Sequence, residues 1–486
     1  MRRMLKVTRT AVSLALVLAL AVVLSASDHP LAGHPEVAAR LRILDGWLAS
    51  TVSEREQPGI SVGIVYDQDL IWARGFGFAD VASKRPATPA TVYRVASISK
   101  LFTATALMQL RDAGKIRLDD PVASHLSWFK VNDAFADSPP ITIRHLMTHT
   151  SGLPRNSAGM PDGEVGWPTR EQMIAALATQ ATVLDRDTEF KYSNLAWALA
   201  GEVVAAVSGQ PYATYVHQHI LEPLGMTSST MRPSPTTPGL ATPYTRRVPG
   251  KARRVARFSD WAGMTPAANL ATTVEDLARF ASMQFRTGPA SRPEVLRGST
   301  IREMHRVQWL RPNWQSGQGL GFAIRRVGER VQVGHGGSTP GFRTQIQIVP
   351  AEKLAVIVLT NADDGDPGSY LDQVLETIGP AIATATARPR PEPVGDPAWQ
   401  AYVGDYGRPD DPDANTEFVV LNNRLTMVTT GSTWNGRVPL APAGPHTFRM
   451  QGGSTSGELV VFDVGPDGRA TRARVATSSI KIVRKF

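Results

Sequence analysis

Three short groups of residues in this chain bring together side chains able to do covalent chemistry. Ser97-Ile98-Ser99-Lys100 sets a hydroxyl and an amine three positions apart. In a helix both face the same way one turn apart, so the amine reaches the hydroxyl. A lysine kept from water is held neutral and accepts the serine proton, and a helix N-terminus presents backbone N–H groups where an oxyanion forms. Tyr192-Ser193-Asn194 is the one Tyr-x-Asn of the chain. A phenol beside a lysine shuttles protons, and an Asn amide holds both the lysine and a substrate carbonyl. A helix cap with a packed tyrosine is the plain alternative. His335-Gly336-Gly337-Ser338 closes one strand pattern and precedes another. Its glycines let an extended substrate lie against the strand edge, and the Ser338 N–H completes an oxyanion hole; an ordinary strand-end turn explains the same residues. Each group alone is weak, as a second Ser-x-x-Lys, Ser478 to Lys481, in a strand pattern demonstrates.

The elements that must position these groups are legible from periodicity. Residues 35–56 carry Val37, Leu41, Leu44, Trp47 and Leu48 near the helical period. Residues 59–72 read as two strands around the turn Asp67-Gln68-Asp69, with 74–79 continuing the second. Residues 97–112 are apolar nearly all round, which predicts a buried helix stopped by Gly114. Helical patterns at 171–179, 195–207 and 274–285, broken by Pro- and Gly-rich loops, predict an all-helical lobe over about 119–290. Strand patterns return at 319–327, 330–334, 344–349 and 355–359, followed by a helical stretch at 369–378, so early and late strands are expected to share one sheet. Pro389, Pro391, Pro393 and Pro397 mark a semi-rigid linker over 383–397. Residues 398–486 then read as a small all-β barrel or sandwich, leaving 28–382 as the main domain.

Composition narrows the chemistry. None of the 486 residues is cysteine, which excludes disulfides, a thiolate nucleophile, iron–sulfur clusters and Cys-ligated zinc. The net charge of +9 draws on Arg2, Arg3, Lys6 and Arg9, which precede an uncharged 14-residue apolar run, Ala11 to Leu24, and the small residues Ser25-Ala26-Ser27. This is the pattern of a secretory signal peptide over 1–27, too short to span a bilayer, and it predicts an exported protein, periplasmic or extracellular. Membrane attachment is expected only if that segment stays uncleaved. Its removal leaves 48 basic against 43 acidic residues, and nothing then demands nucleic acid. The basic cluster Arg246, Arg247, Lys251, Arg253, Arg254 and Arg257 reads as a solvated loop or as a contact for an anionic envelope polymer. His145 and His149 lack the Glu and third ligand of a zinc site, Gly75-Phe76-Gly77 is no dinucleotide loop, and Gly59-Ile60-Ser61-Val62-Gly63 lies inside a strand pattern rather than at a nucleophile elbow. No metal and no cofactor is expected.

In chain order, Ser-x-x-Lys on an apolar helix, Tyr-x-Asn on a helical lobe and His-Gly-Gly on a late strand resemble the class C β-lactamase and penicillin-binding-protein-like serine hydrolase family. Val92-Tyr93-Arg94-Val95-Ala96, residues 141–154 (ITIRHLMTHTSGLP), Glu222-Pro223-Leu224-Gly225-Met226 and residues 333–341 (VGHGGSTPG) extend the resemblance over 35–385. It implies an α+β fold, an antiparallel sheet flanked by helices with the active site between sheet and lobe. It implies acylation of Ser97 and hydrolysis by water, with Lys100 and Tyr192 sharing acid and base work and either one as principal base. Asn194, His335, Gly336 and Gly337 would position the substrate, and the backbone N–H groups of Ser97 and Ser338 would form the oxyanion hole. The tail is similar to the small β-barrel domains of some peptidase and esterase relatives. Two departures stand out. His335-Gly336-Gly337 replaces the usual Lys-Thr-Gly and loses a permanent cation, and Ala267-Ala268-Asn269-Leu270 stands where many relatives have Gly-Gly-Leu. The expectation is an exported, peptidase- or esterase-like serine hydrolase acting on a small-molecule or peptide substrate. A true β-lactamase or DD-carboxypeptidase, or an idle envelope-binding module of the same fold, are the alternatives.

Overall fold

The computed structural model describes residues 29–484 except 136, 159–165, 287–294, 388–395, 409–410, 430–435 and 477. The leader read at 1–27 lies outside the described residues. The chain divides into two compact units, Met1–Thr386 and Ala387–Phe486.

Strand patterns far apart in sequence assemble into one antiparallel sheet in the first unit. Its strands are β1 (Gly59–Tyr66), β2 (Asp69–Asp80), β3 (Arg85–Pro86), β6 (Trp309–Leu310), β7 (Ser316–Gln318), β8 (Ala323–Val327), β9 (Arg330–Thr339), β10 (Phe342–Val349) and β11 (Leu354–Thr360), while β4 (Tyr93–Arg94) and β5 (Ala271–Thr272) pair separately. The order is β3-β2-β1-β11-β10-β9-β8-β7-β6, so β11 from the end of the unit pairs with β1 from its start, Ile60 opposite Thr360. Side chains alternate between the two faces as the pleat requires. Val356 and Val358 of β11 pack with helices Pro35–Glu54 and Pro367–Thr386, whereas Ala355, Ile357 and Leu359 join the core of the helical lobe. Gly63 lets helix Val274–Met283 lie against β1, because a Cβ there would sit 2.4 Å from Val274 Cγ1.

Helix Ser99–Asp112 is buried through most of its length, as its apolar sequence predicts. It is entered by a 3-10 turn, Ala96–Ile98, so Ser97 precedes the α-helix proper. The lobe contains helices Ile143–Thr148, Arg170–Leu177, Asn194–Ser208 and Tyr212–Val216. No helix among the described residues is long and apolar enough to cross a membrane.

Three boundaries differ from the sequence reading. Strand β9 does not end before His335 but runs on to Thr339, because β10 pairs with it through Thr339↔Phe342. The pattern at 319–327 contains only the short strand β8; residues 319–322 form a turn in which Gly321 (φ +86°) passes within 2.6 Å, measured from an ideal Cβ, of Ala104. The last helix continues through Pro380 to Thr386, so the first four residues read as linker are helical; Ile378, Ala381 and Ile382 bury one face on the sheet and outweigh the proline. Most of the remaining linker, 388–395, lies outside the described residues. In the second unit eight strands close into a barrel, the first, Gly404–Arg408, pairing with the last, Ser478–Arg484. Of the two all-β architectures expected there, the barrel is the one formed.

Candidate active site

Ser97, Lys100, Tyr192 and Asn194 converge at the mouth of the buried helix. The Ser97 hydroxyl oxygen lies 3.0 Å from Lys100 Nζ and accepts a hydrogen bond from Tyr192 Oη at 2.8 Å. Lys100 Nζ also donates to Asn194 Oδ1 and to the Ala267 carbonyl, both at 2.9 Å. Burial, reinforced by the Arg155 guanidinium, pushes the Lys100 ammonium well below the ordinary lysine range. A neutral amine has two N–H donors and one lone pair. The donors are taken by Asn194 and Ala267, which leaves the lone pair for the Ser97 proton. Burial moves the Tyr192 phenol the other way, to about 12, so it stays protonated and able to donate.

Local structure explains the placement. Ala96 holds φ +45°, the left-handed region that a residue with a Cβ adopts at a cost of roughly 1–2 kcal/mol. Ser99 Oγ receives the Leu270 N–H at 2.9 Å and donates to the Ala96 carbonyl at 2.6 Å, tying the turn to the 265–270 segment that also carries the Ala267 carbonyl. Ser193 caps helix Asn194–Ser208 through the Ala196 N–H at 2.9 Å, so the capping reading holds for this serine while its neighbours Tyr192 and Asn194 face Ser97 and Lys100. Gly201 lets that helix lie on Pro266, where a Cβ would meet the proline ring at 2.1 Å, and this brings the Ala267 carbonyl within reach of Lys100.

The third group lies on an open strand edge. Strand β8 pairs with β9 only as far as Gly334, opposite Ala323, so among the described residues no strand covers the far side of β9 from His335 to Thr339. Gly337 packs against the turn that leads to Ser97; a Cβ there would stand 2.1 Å from the Val95 carbonyl oxygen. His335 donates from Nδ1 to the Gly336 carbonyl at 2.6 Å, and its ring centre lies 6.3 Å from that of Tyr192. Burial, with Lys100 beside it, lowers His335 to about 4, so this imidazole is neutral near pH 7 and does not replace the cation of Lys-Thr-Gly. Ser338 sits opposite Arg343 with its side chain exposed.

A family model described as Beta-lactamase matches residues 44–377. The chain belongs to the beta-lactamase family. Members of this fold family are serine hydrolases, and the sheet, helical lobe and C-terminal barrel agree with that membership. Protein flp of Staphylococcus aureus (strain MW2) is 26% identical over 327 residues, 67% of this chain and 63% of flp. The chain thus spans less than two thirds of the length of that relative. The octameric penicillin-binding protein homologue of Pyrococcus abyssi superposes with a TM-score of 0.61 at 26% identity, covering 91% of this chain and all of that one. A beta-lactamase/D-alanine carboxypeptidase of Yersinia pestis shares the fold, with a TM-score of 0.60 at 22% identity over 71% of this chain and 99% of that one.

Several residues at this beta-lactamase-type site have roles that the sequence reading did not give them. Asn156 Oδ1 accepts from Asn194 Nδ2 at 2.9 Å and so turns the amide oxygen of Asn194 toward Lys100. His149 stacks on Tyr192 with ring centres 4.3 Å apart and accepts the Ser193 N–H at 3.0 Å; burial holds it far below the ordinary imidazole range. His145 has a different job, pairing with Asp187 at 2.9 Å and capping its own helix, so the two histidines do not face one centre. Arg94, buried and lowered to about 10, donates to the Ser259 carbonyl and at 2.7 Å to Asn269 Oδ1, so the departure from Gly-Gly-Leu supplies a partner for a buried guanidinium. Arg94, His145 and His149 lie in the stretches 92–96 and 141–154 that carry the family resemblance, and Asn156 lies two residues beyond the second, but pattern assigned none of them these roles. Ser61, in contrast, is structural, bonded to the Thr88 carbonyl and the Tyr93 hydroxyl at 2.8 and 2.9 Å.

Proposed function

We propose that this chain is an exported serine hydrolase that cleaves an amide or ester through an acyl-Ser97 intermediate. One observation carries the reading: Ser97 Oγ lies between Lys100 Nζ at 3.0 Å and Tyr192 Oη at 2.8 Å, with the remaining Lys100 donors already bound to acceptors. In this reading Lys100 takes the Ser97 proton as Oγ attacks the substrate carbonyl. The tetrahedral oxyanion is received by the backbone N–H groups of Ser97 and Ser338. Collapse breaks the bond to the leaving group, which takes a proton from the Lys100–Tyr192 pair. Water then adds to the acyl-enzyme with the same two groups returning the proton to Ser97. Lys100 and Tyr192 titrate as a coupled pair, and the base work belongs to both.

The neutral His335 on β9 favours peptidase- or esterase-like substrates over β-lactams, which present a carboxylate to a strand-borne cation in relatives with Lys-Thr-Gly. Export follows from the leader pattern at 1–27. N-terminal sequencing of protein recovered outside the cytoplasm should begin after residue 27, and an intact leader on cytoplasmic protein counts against export.

The deciding experiment is intact-protein mass after exposure to an activated phosphonate ester, with a known serine hydrolase as control. The expected result is one adduct on the wild type and none on Ser97→Ala. An unlabelled wild type beside a labelled control would leave an idle, binding-only module as the better reading.

A further inference from the structure

Two arginines stand beside the site. Arg155 holds its guanidinium carbon 5.1 Å from the centre of the Tyr192 ring, and Lys100 Nζ lies 4.9 Å from the same centre. One aromatic residue away, Arg311 lies 4.0 Å over the ring of Phe190. Arg155 is exposed and Arg311 half-buried, and among the described residues neither has a carboxylate within ion-pair distance. The basic loop at 246–257 behaves differently: Arg247 is paired with Glu56 and Arg253 with Asp364. With Lys100 and His335 neutral, the standing charges that act on these site residues are those of Arg155 and Arg311, and among the described residues no acid joins them. A cleft with uncompensated positive charge concentrates anions and orients them.

Arg155 is also held in place. Its carbonyl accepts the N–H groups of Asn194 and Leu195 at 2.7 and 3.3 Å, which fixes its backbone to the start of the helix that carries Asn194. The side chain leaves that anchored backbone over the tyrosine that touches the nucleophile. A guanidinium on an aromatic face keeps its planar fork of N–H donors free for a carboxylate.

We propose that Arg155 is a specificity-determining residue that binds a carboxylate on the substrate at the Tyr192 side of the cleft, with Arg311 adding to the field. The inference deepens the hydrolase reading and rests on it. The cation absent from β9 is then supplied by the loop that follows helix Ile143–Thr148, from a different direction, so carboxylates placed for a strand lysine and carboxylates placed for Arg155 belong to different substrates.

The test uses two esters of nearly equal shape, 3-carboxyphenyl acetate and 3-carbamoylphenyl acetate, with the full-length protein. The quantity read is the ratio of their kcat/KM values. It should fall at least tenfold in Arg155→Gln, fall further in Arg155→Glu and recover in part in Arg155→Lys. In wild type, added salt should lower the ratio, and in Arg155→Gln that dependence should shrink. A ratio unchanged in the Gln and Glu variants overturns the proposal. So does an equal fall for both esters, which would mean that Arg155 acts on Lys100 and Tyr192 instead. Binding is read without turnover by ligand-detected NMR of isophthalate with Ser97→Ala protein. Saturable binding weakened at least tenfold by adding Arg155→Gln supports the assignment, and no binding overturns it. If neither ester is turned over and the phosphonate leaves Ser97 unlabelled while isophthalate binds through Arg155, the hydrolase reading fails and the anion site stands.

Discussion

A lysine is useful as a base only while it is neutral, and the residues around Lys100 are arranged to keep it so. Burial and the neighbouring Arg155 lower its pKa, and the network offers it two acceptors and one hydroxyl proton. The sign of the pH dependence follows. Below the depressed Lys100 pKa the amine is protonated and Ser97 has no base, so kcat/KM should rise with pH through that value. With Tyr192 raised to about 12, the profile should then stay flat through the ordinary tyrosine range. A fall in kcat/KM centred below pH 10 would contradict the assignment. Asn156 acts one bond further out. Asn156→Ala removes the acceptor that orients Asn194 and should lower kcat by about tenfold with less effect on KM. Asn156→Asp keeps the acceptor but adds a negative charge near Lys100, so the acid limb of the profile should move to higher pH; a merely structural role would leave the limb in place.

Among the elements, the relation of β9 to the turn that carries Ser97 matters most. The sheet carries His335-Gly336-Gly337-Ser338 on an edge that β8 leaves open, and the turn Ala96–Ile98 presents Ser97 beside it. Gly337 sets the spacing, since a Cβ would stand 2.1 Å from the Val95 carbonyl oxygen. Backbone cannot yield as a flexible side chain does, so Gly337→Ala should push strand and turn apart. We expect kcat/KM to fall by more than tenfold while circular dichroism remains that of the folded protein. Wild-type activity in this variant would show that the spacing is not critical.

At the scale of the whole molecule, the two units have separate cores. The barrel is filled by Tyr406, Phe418, Phe448, Phe462 and their neighbours, and none of these residues belongs to the clusters on either face of the sheet. Phe462 packs edge-on against Phe418 with ring centres 4.9 Å apart and sits near Tyr402 and Phe448. Phe462→Ala should cost the barrel about 3–5 kcal/mol. Calorimetry should resolve this as a lowered barrel transition, with phosphonate labelling of Ser97 retained at temperatures where the barrel has melted. A single transition that moves as a whole would mean that the units unfold together.

Local pattern was enough to read the long strands, the buried helix, the capping serine and the three groups that carry Ser97, Tyr192 and His335, but not the short strands β3 to β7, of which β5 falls in the stretch read as all-helical. Periodicity and capping depend on residues a few positions apart, and those residues are adjacent in the chain. Pattern could not show that β9 runs through His335 to Thr339, because that depends on pairing with β10 and on the glycine-sized gap to Val95. Nor could it show that Lys100 finds the Ala267 carbonyl, that Asn156 orients Asn194, or that Arg155 stands over Tyr192. These contacts join side chains and carbonyls from loops whose path depends on what they pack against. Sequence alone therefore determined which groups were available for chemistry, and the tertiary structure decided their distances, their burial and which partners stand around them.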